Sequence, residues 1–425
     1  MLAQAVHRIA WERDTVDPRS ADPIQAFYNA HPYPPPVADL DRVRERWRDP
    51  DRRRAEFHLL WPDRPCRTDI DILVAGCGTS QAARHALCWP NARVTGIDVS
   101  AQSLEETRRL KDRYGLHNLA IRMRAIEDAA GLERQFDLIV CTGVVHHLAD
   151  PGAGLRALRS VLKPGGVIHL MVYAPYGRTG IYMLQDYARR LGIGTSKSEI
   201  EELVRVVEAL PWQHPLMAVL GQSRDFLDPD AVADALLNPR DRAYSVPQLY
   251  GTLADNGLSL ARWYRQAPYL PQCGAIAETA HAARIAALEP AAQYAAMELW
   301  RGAMATHSLV VRRDDEEAGA PVGFDDERWR DYVPLRMPST GLERDRAPAG
   351  AVGLLFNRSH RFHDIVLPVG PDELALLQAI DGHRSMGGIV DKAIPGSWDV
   401  AQRFFRALWH YDQIVVDASN ARASR

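Results

Sequence analysis

Gly76, Cys77, Gly78, Thr79, Ser80 and Gln81 lie between an apolar run, DILVAG (71–76), and a helix-like stretch, QAARHALCW (81–89). Small residues at such a junction let backbone N–H groups approach a ligand at a helix N-terminus. Asp98 stands near the end of the next apolar run, ARVTGIDVS (92–100), 20 residues after Gly78. An acidic side chain there can accept both hydroxyls of a ribose. The competing reading is a tight turn plus an exposed aspartate; the two features at their matching strand ends favour ribose. A dinucleotide turn needs Gly or Ala at its sixth position, and that position is Gln81. The Lys-Ser/Thr of a phosphate-cradling loop is also missing. A nucleoside ligand without a polyphosphate is therefore expected.

The elements that position these residues alternate along the chain. Strand-like runs at 71–76, 92–100, 119–127, 136–143 and 167–173 are separated by helix-like stretches at 81–89, 103–115 and 151–166. Apolar strands with helical crossovers imply a parallel sheet covered on both faces. Residues 177–245 read as a helical insertion, with Ser198 and Glu201 at capping-box spacing and Ile200, Leu203, Val204, Val207 and Leu210 on one face. A helix at 246–257, a strand at 258–265, helices in 279–305 and a last strand at 307–313 return to the sheet. The charged, Pro- and Gly-bearing stretch 314–350 reads as a linker plus a partly ordered segment. Beyond it, strands at 351–356, 363–369 and 413–418 flank three helices at 373–382, 385–394 and 399–412.

Four pieces in order, DILVAGCGTS (71–80), VTGIDVS (94–100), FDLIVCTGVVHHLADP (136–151) and LKPGG (162–166), resemble the class I S-adenosylmethionine-dependent methyltransferases. The resemblance covers roughly residues 70 to 175, with 246–313 matching the tail of that fold. It implies a Rossmann-like α/β sheet and S-adenosyl-L-methionine as cofactor. It places Gly76, Cys77 and Gly78 at the methionine part, Asp98 at the ribose and Val99 beside the adenine. Ile126 would pack on the other adenine face with Glu127 nearby, and Cys141 and Thr142 would border the sulfonium. Three positions depart from the family pattern: Val74 replaces an acid, Ser80 a glycine, and Ala125 an aspartate. FYNAHPYP (27–34) resembles the Tyr/Pro-rich lead-in of one bacterial subgroup.

Methyl transfer from a sulfonium is an in-line displacement, so alignment is the protein's main task. A hydroxyl or ammonium nucleophile also needs a base. His146 and His147 follow the fourth strand, on the ligand side of a doubly wound sheet. Strand alternation would turn their rings to opposite sides, so only one can face the methyl group; the family resemblance implies His146 there, as the base, and His147 packed or backbone-bonded near the substrate. The plainer reading is a pair of turn histidines. Tyr28 and Tyr33 are candidates for a lid over the cofactor; Tyr173, Tyr176, Arg265, Gln266 and Tyr269 are candidates for the substrate wall. Each of these aromatic residues can equally serve packing.

The C-terminal unit looks like a small winged-helix fold and is similar to PqqD-like peptide-binding modules. Its second helix carries one Lys, one Asp and two Gly, which argues against reading DNA. Fifty-one basic and 54 acidic residues give a net charge of −3, again unlike a nucleic-acid binder. Five Cys at an odd count show no metal spacing, so free thiols and no metal site are expected. No signal-peptide core or membrane-span-length apolar run is present, so the chain reads as soluble and cytoplasmic. The expected organisation is an N-terminal segment and candidate active-site cap (1–65), a methyltransferase domain (66–313), a linker (314–350) and a small α+β domain (351–425). The expected activity is methyl transfer to a small molecule or peptide. The alternatives are an inactive methyltransferase-like scaffold and a nicotinamide-dependent enzyme, which Gln81 disfavours.

Overall fold

The computed structural model describes residues 22–221, 227–316 and 321–422. Seven strands form the central sheet: β1 (Asp71–Ala75), β2 (Arg93–Asp98), β3 (Leu119–Met123), β4 (Phe136–Thr142), β5 (Leu162–Tyr173), β6 (Leu258–Trp263) and β7 (Thr306–Arg313). Their order is β3-β2-β1-β4-β5-β7-β6. The first five pair in parallel, whereas β7 runs antiparallel between β5 and β6. The sheet is thus mixed rather than wholly parallel. Apolar content marks β7 as a strand but carries no information about its direction.

Alternation along β1 divides the core. Leu73 and Ala75 join one apolar cluster with the helices Pro151–Ser160 and Val246–Ala254. Ile72 and Val74 join the other with Gln81–Cys88, Ala101–Tyr114 and Pro50–Leu60. Ser100 caps Ala101–Tyr114, and Gly115 closes it in the left-handed region at φ 60°, where glycine meets no Cβ penalty. The helix read at 151–166 ends at Ser160, and β5 begins at Leu162. Leu162 already pairs with Phe136 across a register shift, so the Pro-Gly-Gly stretch lies within the strand.

The insertion folds as Thr179–Leu191, Lys197–Glu208, the short Met217–Leu220 and Pro229–Leu237 around its own apolar cluster. Its capping box is Ser196 with Glu199, two residues before the expected pair. Both pairs have the required spacing, and the turn at Gly192 and Gly194 selects the earlier start.

The stretch 314–350 holds two strands, β8 (Val333–Arg336) and β9 (Thr340–Glu343), where a linker was expected. β9 pairs with β10 (Gly353–Asn357), which pairs with β11 (Val366–Val369). β8 pairs with β12 (Ile414–Asp417). These sheets enclose a core with the helices Pro371–Ala379, Met386–Ala393 and Trp398–His410. The unit is joined to the central domain: Leu335, Met337 and Val415 pack on Ala55, Leu59 and Tyr264. No helix among the described residues is long and apolar enough to cross a membrane.

Candidate active site

The turn after β1 places Gly76 and Gly78 at φ 69° and 54°. A β-carbon on Gly76 would sit 2.4 Å from Val144 Cγ2, so glycine is needed for backbone shape and for close packing. The Gly78 N–H donates to Asp98 Oδ2 at 2.8 Å, and the Ser100 N–H donates to Oδ1 at 2.9 Å. Each carboxylate oxygen has two acceptor directions, so with Gly78, Ser100 and Val99 donating, the carboxylate retains one for a ligand. Burial raises the Asp98 carboxyl pKa, opposed by the N–H donors of Ser100, Gly78 and Val99. At the end of β4, Thr142 Oγ1 accepts from Gln81 Nε2 at 2.6 Å.

An N-terminal strap crosses this turn. Helix Pro23–Ala30 is capped by Asp22 and buries Ile24 and Phe27. Gln25 donates to the Val99 carbonyl, and the Ser100 hydroxyl donates to the Tyr28 carbonyl and to Asn29 Oδ1. Thr79 Oγ1 donates to the Pro34 carbonyl at 2.9 Å. The strap also holds the insertion: Tyr28 donates to Asp234 Oδ1 at 2.8 Å, His31 meets Asp230, and Arg240 meets Asp22. Burial, then the nearby Asp234 charge, pushes the Tyr28 phenol pKa up. Tyr33 reaches the turn through its backbone: its carbonyl lies 3.7 Å from the position of a β-carbon on Gly78.

Val145–His147 form a 3₁₀ turn rather than extended strand. Alternation therefore does not apply, and the two imidazoles lie side by side with centroids 4.2 Å apart. His146 is buried, 3.9 Å from the Tyr173 ring, and neither of its nitrogens has a hydrogen-bond partner among the described residues. Burial, then the charges of His147 and Arg178, holds it well below the usual imidazole range. His147 Nδ1 contacts the Arg240 carbonyl, and its ring meets Tyr28 and Tyr173 edge-on. The Arg178 guanidinium lies 3.5 Å over the Tyr173 ring and pairs with Asp241 at 2.7 Å. Asp241 Oδ1 is buried without a partner among the described residues.

Tyr28, His146, His147 and Tyr173 are thus brought together. The Tyr33 phenol also lies near enough to Tyr173 to act on its pKa, whereas other candidate residues are placed elsewhere. The Cys77 and Cys141 side chains lie in opposite sheet-face cores, with the Cys141 thiol pushed up to about 12 by burial. Ile126 is buried in the core, whereas Glu127 and Tyr176 are exposed. Arg265 Nε donates to Ser359 of the C-terminal unit. Tyr269 stacks on Trp263 at 3.8 Å and shares its hydroxyl with His307; Gln266 donates to the Trp409 carbonyl. These three therefore serve packing between elements. Asp234, Arg178, Asp241 and Arg240 escaped the sequence reading because only the fold brings them to the strap. Gln81 was visible, but only as a mismatch to another motif.

Residues 73–168 match a family model described as a methyltransferase domain. The chain is 31% identical to an uncharacterised protein of Synechococcus sp. over 249 residues, 56% of this chain and 58% of that protein. It is 28% identical to a ubiquinone biosynthesis O-methyltransferase of Actinobacillus pleuropneumoniae, across 41% of this chain and 79% of that one. The structure of PKMT2 from Rickettsia typhi in complex with AdoHcy superposes with a TM-score of 0.62, covering 87% of this chain and 75% of that one. At 15% identity, that similarity concerns the fold alone. Strand order, glycine turn, Asp98 and family match together define a class I S-adenosylmethionine-dependent methyltransferase domain.

Proposed function

We propose that the protein transfers a methyl group from S-adenosylmethionine to a hydroxyl or amine on a small molecule or peptide. The observation that carries this reading is the Asp98 carboxylate, fixed by Gly78, Ser100 and Val99 beside the strap, with an acceptor direction left for a ribose hydroxyl. The residues present fit the cofactor: Asp98 for the ribose, the half-buried Val99 beside the adenine, and the turn at 76–78 with Thr142 for the methionine part. When bound, the cofactor supplies an electrophilic methyl group.

The protein's own part is alignment and exclusion of water. Tyr28, His147 and Tyr173 pack together after the β4 end, and Tyr28 is bonded to the insertion. Alignment of this kind can contribute ~7–11 kcal/mol. His146 is the candidate base: its buried ring is held neutral, and neither nitrogen is occupied by a described residue. The O-methyltransferase relatives support an oxygen nucleophile as the first class to try. A panel of hydroxyl- and amine-bearing small molecules and peptides, incubated with methyl-labelled cofactor, tests the proposal. Label transfer to one class supports it. Cofactor binding without transfer to any acceptor would favour the scaffold alternative.

A further inference from the structure

Tyr173 closes β5, and both faces of its ring are covered. The His146 centroid lies 3.9 Å from the Tyr173 centroid, with the two planes tilted by 33°. The Arg178 guanidinium carbon lies 3.5 Å from the same centroid. Two planar groups at van der Waals distance from one ring centre cannot share a face, so Tyr173 is sandwiched between His146 and Arg178. The guanidinium is itself clamped. Its Nη2 donates to Asp241 Oδ2 at 2.7 Å, and its Nε donates to the Tyr182 hydroxyl at 3.2 Å, one helical turn on. Gln185 Nε2 donates to the same Asp241 oxygen at 2.7 Å and to the Ala235 carbonyl at 2.8 Å. The Arg178 and Asp241 side chains are 7% and 2% exposed, so the ion pair is out of water. Asp241 Oδ1 still lacks a partner among the described residues. A buried pair bonded this incompletely adds little net stability, and apolar groups of similar volume often serve as well or better. Its place in the fold calls for a reason other than stability.

We infer that Arg178 is a positioning residue for the candidate base: clamped by Asp241 on the far face of Tyr173, it holds that ring against His146 and keeps a fixed positive charge behind it. This rests on the methyl-transfer reading above and deepens it. The stack orients the His146 plane through its face, and neither nitrogen is taken by a described residue. The charge opposes an imidazolium at that place. Burial has the largest share in keeping His146 neutral, followed by His147 and then Arg178. The other ionisable groups packed around these rings are Tyr28 and Tyr33 of the strap and Asp234 and Asp241 of the insertion. Both carboxylates already accept hydrogen bonds, Asp234 from Tyr28 and Asn238, and Asp241 from Arg178 and Gln185. Arg178 thus lowers the basicity of His146 in exchange for a ring that stays in its proton-accepting form.

The test uses the full chain and two variants. Arg178→Met removes the charge and the flat group but keeps a long side chain. Arg178→Met combined with Asp241→Leu removes the pair together, so no buried carboxylate is stranded, and its thermal transition should stay near that of wild type. The double variant carries the test by itself if Arg178→Met does not fold. Nitrogen-15 NMR of the histidine rings, assigned with His146→Gln, reads the His146 protonation midpoint without any substrate. That midpoint should rise by about one pH unit in both variants, the size expected for one nearby charge in a protein interior. With the acceptor found by the panel above, turnover should fall ~tenfold or more while the acceptor KM stays within about threefold. An unchanged midpoint would overturn the inference, as would a His146 ring that stays neutral down to about pH 5 in wild type and variants alike. Wild-type turnover in the folded double variant would reduce the pair to a brace and overturn it as well. A wild-type protein that methylates no acceptor would instead overturn the methyl-transfer reading on which the inference rests.

Discussion

Asp71 and His146 show burial acting on two ionisable side chains with opposite results. Asp71 is buried at the start of β1, where burial would raise its carboxyl pKa. Hydrogen bonds from Arg93 and Lys163 outweigh that effect and bring it down to about 2. The native carboxylate thus stays ionised below the ordinary 3.8, so its stabilising share is full above pH ~4 and is lost as the pH falls toward 2. Asp71→Asn is expected to cost ~1–2 kcal/mol at pH 7, discounted because the partners are partly exposed. In urea unfolding, the gap between wild type and variant should close as pH falls from 4 to 2. At His146 no carboxylate compensates, and burial holds the ring neutral well below pH 6.5. If His146 is the base, turnover should stay flat from pH 8 through 6.5 and fall only below it. His146→Ala should lower turnover by ~10²–10⁴ with cofactor affinity nearly unchanged. Wild-type turnover in that variant would leave alignment as the sole mechanism.

The strap and the insertion meet at Tyr28. Its backbone carbonyl accepts from Ser100 beside Asp98, while its hydroxyl donates to Asp234 and accepts from Asn238. A single residue thus connects the loop that carries Asp98 to the helical insertion. Tyr28→Phe keeps the ring and removes both hydroxyl bonds, leaving Asp234 short of a buried donor. Cofactor dissociation, followed by stopped flow, should then accelerate roughly tenfold, the equivalent of ~1–1.5 kcal/mol of strap closure. An unchanged off-rate would make the strap a fixed surface element. This connection was only half legible in the sequence. HPYPPP excludes a helix at 31–36, and FYNAHPYP resembles a known lead-in. Tyr28 and Asp234, however, are separated by 206 positions, and no local pattern signals their bond. The strands up to β5 were legible because their apolar runs end at glycine or turn residues. The direction of β7 was not, because periodicity reports burial and not polarity. The alternation argument failed at His146 and His147 because the chain leaves the strand at Thr142 and turns.

At the scale of the whole molecule, the C-terminal unit is bound into the structure. The Asp412 carboxylate accepts from the Gln266 and Ala267 N–H groups after β6 and meets His360. Arg301 pairs with Asp364, and Ala418 N–H donates to the Pro62 carbonyl. Helix Pro50–Leu60 therefore has apolar partners on two sides, the central sheet and the β8–β12 pair. A chain ending at Arg313 would expose Ala55, Leu59 and Tyr264. It should unfold at a clearly lower temperature than the methyltransferase transition of the full chain. An unchanged transition would mark the unit as a separable module. The charged composition of 314–350 suggested such a module, yet β8 and β9 within it complete both C-terminal sheets. Charge density reports exposure, whereas strand pairing there depends on partners up to 84 residues away, as for Val333 with Asp417.

The central claim is that Asp98 and the glycine turn hold an adenosine bearing an amino-acid tail. Calorimetric titration with S-adenosylhomocysteine, run on wild type and on Asp98→Ala, tests it most directly. The account predicts one-to-one binding to wild type, no binding of NAD, and at least ~tenfold weaker S-adenosylhomocysteine binding to the variant, from the lost hydrogen bonding to a charged acceptor. The variant's far-ultraviolet circular dichroism should match wild type. Absence of wild-type binding, or equal affinity in a folded Asp98→Ala protein, would contradict the account.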